Sequence, residues 1–89
     1  MTFAVFLTDR AKSDLRKFSE KSHRQIIADI NQLQARPFPD GKRVKKLKGF
    51  TQELYRLRAG DFRVVFQREG KSILIARILA KKDFKKVYG

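Results

Sequence analysis

The sequence of 89 residues contains no cysteine, no tryptophan and only one histidine, His23. Without cysteine the chain has neither disulfides nor thiolate ligands, so its stability has to come from packing or from a partner. A single histidine excludes a multi-histidine metal site and a pair of histidines acting as acid and base. No run approaches the 18 apolar residues of a membrane-spanning helix. We therefore expect no metal, no cofactor, no membrane partner and a cytoplasmic location.

The sequence also lacks a glycine-rich phosphate loop and any cluster of carboxylates. His23 lies between Lys21 and Arg24 at the start of a predicted helix, and we expect it to be exposed and without a role. Any chemistry must then use Lys, Arg and Tyr, which can transfer protons and neutralise charge at a phosphodiester.

Acidic residues are scarce, and the resulting charge is unevenly distributed. Lys and Arg number 22 against 9 Asp and Glu, a net charge of +13. Residues 1–41 carry seven basic residues against five acidic ones, whereas residues 42–89 carry fifteen against four, or +11. A surface of one sign attracts a polyanion. A solvated charged face is the alternative, but the asymmetry favours a partner of opposite charge.

The first part of the chain predicts a strand followed by two amphipathic helices. Residues 2–7 are apolar, β-branched and aromatic, which is typical of a buried strand. Thr8 or Asp9 can cap a first helix, and Ser22 and Gln25 have the spacing of a capping box for a second. The apolar stripes of the two helices consist of Ala11, Leu15, Phe18, Ile26, Ile27, Ile30 and Leu33.

After the two prolines the apolar spacing changes to two, which indicates strands. Sequential strands joined by short loops predict an antiparallel meander. We therefore predict an α+β fold of one domain, residues 1–89, in the order β-α-α-β-β-β-β. Two helices pack on one face of a twisted antiparallel sheet, and the other face stays partly open. The four predicted strands of the meander are Val44–Leu47, Glu53–Arg58, Phe62–Gln67 and Ser72–Leu79.

The hairpin ELYRLRAGDFRVVFQ carries three arginines that its predicted pairing brings together. Opposing Arg58 to Arg63 leaves apolar pairs such as Tyr55 and Phe66 on the core side. Arg56, Arg58 and Arg63 then share the open face, because side chains two apart lie on one side of a strand. Like charges facing each other are destabilising, and the guanidinium group suits phosphate, so we expect an anion here. The alternative is that the arginines extend into solvent without a role.

Two further basic clusters flank this face. Five cations between residues 42 and 48 fit a phosphate track, or equally an edge strand whose lysines oppose aggregation. In the C-terminal stretch AKKDFKKVYG, cations alternate with Phe84 and Tyr88, which suits single-stranded RNA. Tyr88 packed on the sheet edge is the alternative. The candidate RNA-binding residues are Lys42, Arg43, Lys45, Lys46, Lys48, Lys81, Lys85 and Lys86.

Over nearly its whole length the chain resembles the RelE/ParE superfamily of bacterial and archaeal toxins. The resemblance rests on the β-α-α entry and on the segments KLKG (46–49), LYRLRAGDFRVVF (54–66) and KKDFKKVY (81–88). It implies the toxin of a type II toxin–antitoxin system that acts as a ribosome-dependent, metal-independent endoribonuclease (an mRNA interferase). Such a toxin cuts mRNA in the ribosomal A site by attack of the substrate's own 2′-hydroxyl, and so inhibits translation.

The resemblance also implies roles for five candidate catalytic residues. Arg56 and Arg58 match two basic residues that contact and polarise the RNA backbone, and Arg63 matches the arginine that stabilises the scissile phosphate. Lys82 matches a basic residue shortly after the last strand. Tyr88 matches a near-terminal tyrosine that stacks on RNA and takes part in proton transfer.

The sequence departs from this pattern, because the first two positions are lysines in the best-known RelE-like enzyme. Arginine stays protonated and cannot act as the base, so we assign the base role to Tyr88 or Lys82. Lys81 takes the place of Lys82 if the match slips by one residue. We expect Arg63→Ala to abolish cleavage and leave the fold intact.

Two other functions compete with this prediction. ParE-like members inhibit DNA gyrase without being nucleases, and their tails often lack the Arg, Lys and Tyr set that this chain retains. A non-catalytic RNA- or ribosome-binding module is also compatible with the charge. The expected partners are mRNA, the ribosome with its rRNA, and a cognate acidic antitoxin that folds across the sheet or the helix grooves in a heteromeric complex.

Overall fold

The computed structural model describes residues 2–88 and contains five strands and three helices. In chain order these are β1 (Ala4–Leu7), α1 (Asp9–Arg16), α2 (Glu20–Gln32), β2 (Val44–Lys46), β3 (Tyr55–Ala59), β4 (Phe62–Glu69), β5 (Ser72–Ala80) and α3 (Lys81–Tyr88). The predicted α+β order of strand, two helices and four strands is confirmed. None of the helices within the described residues is long and apolar enough to cross a membrane.

The five strands form one mixed sheet in the order β1-β5-β4-β3-β2. Strands β2 to β5 are the predicted antiparallel meander. Strand β1 lies parallel to β5, with Ala4 opposite Ser72 and Leu7 opposite Ile75. The prediction of a purely antiparallel sheet is therefore wrong at this edge. Apolar alternation identifies a strand but carries no information on a neighbour more than 60 residues away.

Helices α1 and α2 pack on one face of the sheet, as predicted. The residues Ala11, Ile26, Ile30 and Leu33 are buried in one cluster with strand side chains such as Phe66. Ile27, predicted to belong to the same stripe, is instead exposed.

The cap of α2 differs from the predicted one. Ser19 is the N-cap, and its hydroxyl accepts a hydrogen bond from the backbone N–H of Ser22 at 3.2 Å. The predicted capping box at Ser22 and Gln25 is wrong, because the helix begins at Glu20.

Helix α3 was not predicted, and it follows β5 without a loop. It contacts β4 and β5. On the sheet face opposite α1 and α2, Val65 and Leu79 are buried. Lys81 donates its backbone N–H to the carbonyl of Asp61 at 2.9 Å, which ties the start of α3 to the β3–β4 turn. The second face is thus covered over β4 and β5 and stays open beside β3.

Beyond the end of β1, backbone groups at the edge of β5 form hydrogen bonds with side chains of α1 and of its N-cap, Thr8. The hydroxyl of Thr8 donates to the carbonyl of Ile75 at 2.9 Å. The buried carboxylate of Asp14 accepts from the N–H of Ile78 at 3.0 Å and from Nε of Arg77 at 2.7 Å. These bonds fix the last part of β5 and therefore the point from which α3 starts.

Candidate functional site

The β3–β4 hairpin has the register that the sequence predicts, with Arg58 opposite Arg63 and Tyr55 opposite Phe66. Its turn consists of Gly60 and Asp61, and Gly60 has φ +59°. A glycine with positive φ at the first turn position is typical of a tight hairpin. A Cβ on Gly60 would also crowd the amide end of the Gln25 side chain, which can move aside. The positive φ therefore favours glycine at this position, and the turn holds the strands in the register that gathers the arginines.

The three arginines line one cavity of about 300 Å³ on the open part of the sheet face. We call this the arginine cavity. Seven of its nine lining residues are basic, and none of the lining residues in the described chain is acidic. The complete lining is Gly41, Lys42, Lys45, Arg56, Arg58, Arg63, Lys81, Phe84 and Lys85. The predicted gathering of Arg56, Arg58 and Arg63 is present.

The three guanidinium groups are held differently. Arg63 is only 8% exposed, and its Nη1 donates to the carbonyls of Gly60 and Phe62, both at 2.9 Å. Arg56 is half-buried, with Nη1 3.4 Å from the carbonyl of Lys42. Arg58 is exposed. Arg63 is thus preorganised by the turn, whereas Arg58 faces solvent at the mouth of the cavity.

The charges in the cavity repel one another. Burial lowers the pKa of Arg56, and the neighbouring positive charges of Arg63 and Arg58 lower it further. Burial and then Arg58 also lower the pKa of Arg63, which Asp61 offsets in part. Both groups remain protonated at neutral pH, because the ordinary pKa of an arginine lies far above neutrality. A bound anion would relieve this repulsion, so the cavity is suited to a phosphate.

The predicted RNA-binding residues divide into two sets. Lys42, Lys45, Lys81 and Lys85 line the arginine cavity. The other four lie outside it: Lys46 pairs with Glu53 at 3.6 Å, Arg43 is 4.0 Å from Asp40, Lys48 is exposed, and Lys86 lines a separate cleft between α1 and α3.

The two candidates for proton transfer do not line the arginine cavity. Lys82 lines a neighbouring cleft with Asp61, while Lys81 lines the cavity itself, which favours the alternative match by one residue. Tyr88 is half-buried and stacks on Phe84, with ring centroids 5.5 Å apart. Because Phe84 lines the cavity, Tyr88 lies one helical turn behind the cavity wall.

One aromatic side chain of this region, Phe50, was not recognised from the sequence. Its ring contacts Tyr88 with centroids 5.7 Å apart, and Phe84, which the sequence analysis paired with Tyr88, is a wall of the cavity. The four-residue spacing of Phe84 and Tyr88, and of Lys81 and Lys85, is the helical signal that was available for α3. No local pattern points to Phe50, because its contact joins a loop to a distant helix.

The sequence predicted that the lone histidine is exposed, and this prediction is wrong. His23 is half-buried, and its Nε2 forms a hydrogen bond with the backbone carbonyl of Leu15. It joins the end of α1 to α2 and does not line the arginine cavity.

Comparison with known families identifies the class of protein. The family model for the ParE toxin of the type II toxin–antitoxin system parDE matches residues 5–83. The chain belongs to this toxin family, within the RelE/ParE superfamily. Among curated proteins, none matches the sequence.

Solved toxins share the fold. The archaeal RelE–RelB complex from Pyrococcus horikoshii OT3 contains a chain with 28% identity and a TM-score of 0.73, over 91% of this chain and 97% of that one. The RelBE2 toxin–antitoxin complex from Mycobacterium tuberculosis gives 18% identity and a TM-score of 0.79, over 90% and 99%. A chain of the YoeB dimer from Staphylococcus aureus has 19% identity and a TM-score of 0.72, over 89% of this chain and 97% of that one.

Proposed function

We propose that this toxin is a ribosome-dependent endoribonuclease that cuts mRNA in the ribosomal A site. The observation that carries the proposal is the arginine cavity, in which three guanidinium groups and four lysines surround a space of about 300 Å³. The likeness to the RelE chain of Pyrococcus horikoshii supports it. A non-catalytic RNA-binding module would not need a buried, preorganised arginine at the centre of its basic surface.

The reaction uses the substrate's own nucleophile. The 2′-hydroxyl oxygen attacks the adjacent phosphorus, the bond from phosphorus to the 5′-oxygen breaks, and a 2′,3′-cyclic phosphate and a 5′-hydroxyl end result. Negative charge builds up on the phosphoryl oxygens in the transition state, where Arg63 and Arg58 stabilise it. Donors that are already in place are the most effective, because they need no reorganisation during the reaction. Arg63 meets this condition through its two bonds to the turn.

A base must take the proton of the 2′-hydroxyl, and an acid must return one to the 5′-oxygen. The arginines cannot be the base because they stay charged. Tyr88 or Lys82 as base remains a prediction, with Lys81 as the lysine that the cavity favours. Lys85, one turn from Lys81 on the same wall, adds positive charge beside the leaving oxygen.

Inhibition of DNA gyrase is the second candidate, because the matching family model describes ParE toxins. Gyrase inhibition does not require a cavity for a single phosphodiester. Purified toxin should therefore leave supercoiling by gyrase unchanged under conditions in which it cuts ribosome-bound mRNA. Trapped gyrase–DNA cleavage complexes without new mRNA ends would support the gyrase function instead.

The test is single-turnover cleavage of mRNA on programmed ribosomes. Wild-type toxin should cut an all-ribose message and leave intact a message with one 2′-deoxy sugar at the scissile position. Arg58→Gln should lower the rate by about 100-fold or more, the usual effect of losing one transition-state donor. Arg36→Gln is the matched control, since Arg36 is exposed and lies outside the cavity. Equal cutting of the deoxy message would contradict the mechanism.

We further propose an acidic antitoxin as the partner. Relatives such as RelE from Pyrococcus horikoshii are known in complex with RelB. The half of the chain with charge +11 attracts an acidic chain that folds on binding. Co-expression of the neighbouring small open reading frame should restore the growth of cells that express the toxin. Continued growth arrest would contradict the proposal that its product is the antitoxin.

A further inference from the structure

The loop between α2 and β2 contributes Gly41 and Lys42 to the lining of the arginine cavity. Asp40 determines the conformation of this part of the loop. Its Oδ1 accepts the backbone N–H of Lys42 at 2.9 Å and that of Val44 at 3.0 Å. The backbone N–H of Asp40 donates to the carbonyl of Val44 at 3.0 Å. These bonds close a turn over residues 40–44, which we call the Asp40 turn.

The first part of the same loop is anchored independently of Asp40. Pro37 is fully buried. The guanidinium group of Arg68 lies over the ring of Phe38 at 4.8 Å and over that of Tyr55 at 4.6 Å from the centroids. Such cation–π contacts fix the position of a ring. A substitution at Asp40 should therefore loosen the Asp40 turn and leave the attachment of the loop intact.

The Asp40 turn is connected to Arg56 through the backbone of Lys42. Asp40 holds the N–H of Lys42, whose carbonyl accepts a hydrogen bond from Nη1 of Arg56 at 3.4 Å. Arg56 lines the cavity, whereas Asp40 does not. A guanidinium group is planar and rigid, so an acceptor fixed on one side sets the direction of its other N–H groups. The side chain of Asp40 thus acts on the orientation of Arg56 from outside the cavity.

The charge of Asp40 and its hydrogen bonds have opposite effects on RNA binding. Hydrogen bonds from the N–H groups of Val44 and Lys42 lower the pKa of Asp40, so its carboxylate is ionised at neutral pH. Its charge offsets part of the fall that burial and the neighbouring arginines cause in the pKa of Arg56. A negative charge beside a cationic cavity weakens the attraction for a polyanion. The hydrogen bonds, in contrast, favour binding if they orient Arg56.

We propose that Asp40 is a positioning residue of the arginine cavity, which orients the guanidinium group of Arg56 toward an RNA phosphate through the carbonyl of Lys42. This inference rests on the proposed function and adds to it a residue outside the cavity. Backbone carbonyls then preorganise two of the three guanidinium groups, Arg63 at the hairpin turn and Arg56 at the Asp40 turn. Arg58 faces solvent.

The test compares two variants that both remove the charge of Asp40. Asp40→Asn keeps a side-chain oxygen that can accept the N–H groups of Lys42 and Val44, whereas Asp40→Ala has none. If charge alone mattered, both variants would bind RNA more tightly than wild type. We expect Asp40→Asn to bind a 2′-O-methyl RNA hexamer at least as tightly as wild type, and Asp40→Ala to bind it roughly tenfold more weakly.

The effect of Asp40→Ala should depend on Arg56. In an Arg56→Gln background it should change the affinity by less than about threefold, because the group that Asp40 positions is absent. In an Arg58→Gln background the loss should stay roughly tenfold, since among the described residues no hydrogen bond joins the side chain of Arg58 to the Asp40 turn. On programmed ribosomes, Asp40→Ala should raise KM more than it lowers kcat.

A second variant and a control separate positioning from stability. Asp40→Glu keeps the charge but moves the oxygens by one methylene, so it should also bind the hexamer more weakly. Ser19→Ala is the matched control, because Ser19 also accepts a backbone N–H, that of Ser22 at 3.2 Å, and does not line the cavity. It should lower Tm and leave the affinity for the hexamer unchanged.

The outcomes distinguish the inference from the proposed function. If Asp40→Ala binds the hexamer as tightly as Asp40→Asn, or if its tenfold loss persists in Arg56→Gln, the inference is overturned, and intact ribosomal cleavage by wild type retains the nuclease. The expected pattern of hexamer binding without any cleavage by wild type supports the positioning role and overturns the nuclease. A wild-type toxin that neither binds the hexamer nor cuts ribosome-bound mRNA overturns both.

Discussion

At the scale of single residues, the Arg58–Arg63 pair is a site where function opposes stability. The two arginines face each other across β3 and β4, and Arg58 lowers the pKa of Arg63 through charge repulsion. Like charges at directly opposed positions destabilise a sheet by a few tenths of a kcal/mol up to about 1 kcal/mol. A fold optimised only for stability would not place them there.

Arg58→Gln should therefore stabilise the protein while removing its activity. We expect a rise in Tm of about 2–4 °C at low salt, which is the size that about 0.5 kcal/mol gives in a domain of this length. The gain should shrink in 1 M salt because screening already weakens the repulsion. Thermal unfolding at two salt concentrations measures this, with Arg36→Gln as control. A lower Tm for Arg58→Gln would show that charge repulsion by Arg58 does not destabilise the fold.

The alternation of apolar and basic residues in the hairpin was enough to predict which arginines share a face. It did not reveal that Arg63 donates to two carbonyls of the turn, since that depends on the conformation of Gly60 and Phe62. The expectation that Arg63→Ala leaves the fold intact is weakened for this reason. Removing Arg63 costs the turn its two hydrogen bonds, so Arg58 is the cleaner position for a test of function.

At the scale of elements, β5 and α3 show what local patterns omit. Apolar alternation predicted β5 nearly to its end, but it did not place β1 beside it or show that a helix follows. Asp14 and Arg77 are 63 residues apart in sequence, and their pairing is a property of the folded chain. Helix α3 is amphipathic but contributes no fully buried residue, so its apolar signal is weak.

The Asp14 cluster gives β5 a pH-dependent contribution to stability. Burial alone would raise the pKa of Asp14, but hydrogen bonds from Arg77 and from the N–H of Ile78, with the charge of Arg77, outweigh it and lower the pKa below 3.8. A carboxyl with a lowered pKa stabilises the fold above its unfolded pKa, and this contribution is lost as the pH falls through the folded value.

Asp14→Asn should thus cost about 2 kcal/mol at pH 7, because it leaves Arg77 without its charged partner. The difference from wild type should begin to shrink as the pH falls below about 4 and should vanish only when the pH is below the lowered pKa of folded Asp14. Urea unfolding at pH 7 and pH 3 measures it. Asp29→Asn is the control, since burial raises the pKa of Asp29 despite Arg43, so that its charge does not stabilise the fold. A cost for Asp14→Asn that is the same at both pH values would refute the ion-pair explanation.

At the scale of the whole molecule, the uneven charge was the strongest sequence signal, and the fold concentrates it further. Residues 42–89 carry +11, and seven basic residues from this half line one cavity. The sequence predicted the sign and the half of the chain, whereas the fold determines which lysines contribute. Lys45 lines the cavity, but Lys82 does not.

The salt dependence of RNA affinity should show which lysines contact the RNA. Each cation that neutralises a phosphate of single-stranded RNA contributes about 0.7 to the slope of log affinity against log salt. Lys45→Gln should reduce the slope by about this amount, and Lys82→Gln should leave it nearly unchanged. Titration of a 2′-O-methyl RNA hexamer, which cannot be cut, at several salt concentrations measures both slopes. Equal slopes for the two variants would show that the cavity does not define the RNA contact.

We propose that the arginine cavity holds the phosphodiester of an mRNA while it is cut. A map of mRNA 5′ ends in cells, made minutes after induction of the toxin, tests this proposal. Wild-type toxin and Arg36→Gln should produce new 5′-hydroxyl ends within codons of translated messages, and Arg58→Gln, present at the same level, should produce none. Growth arrest by wild-type toxin without new ends, or an unchanged set of ends with Arg58→Gln, would contradict the claim.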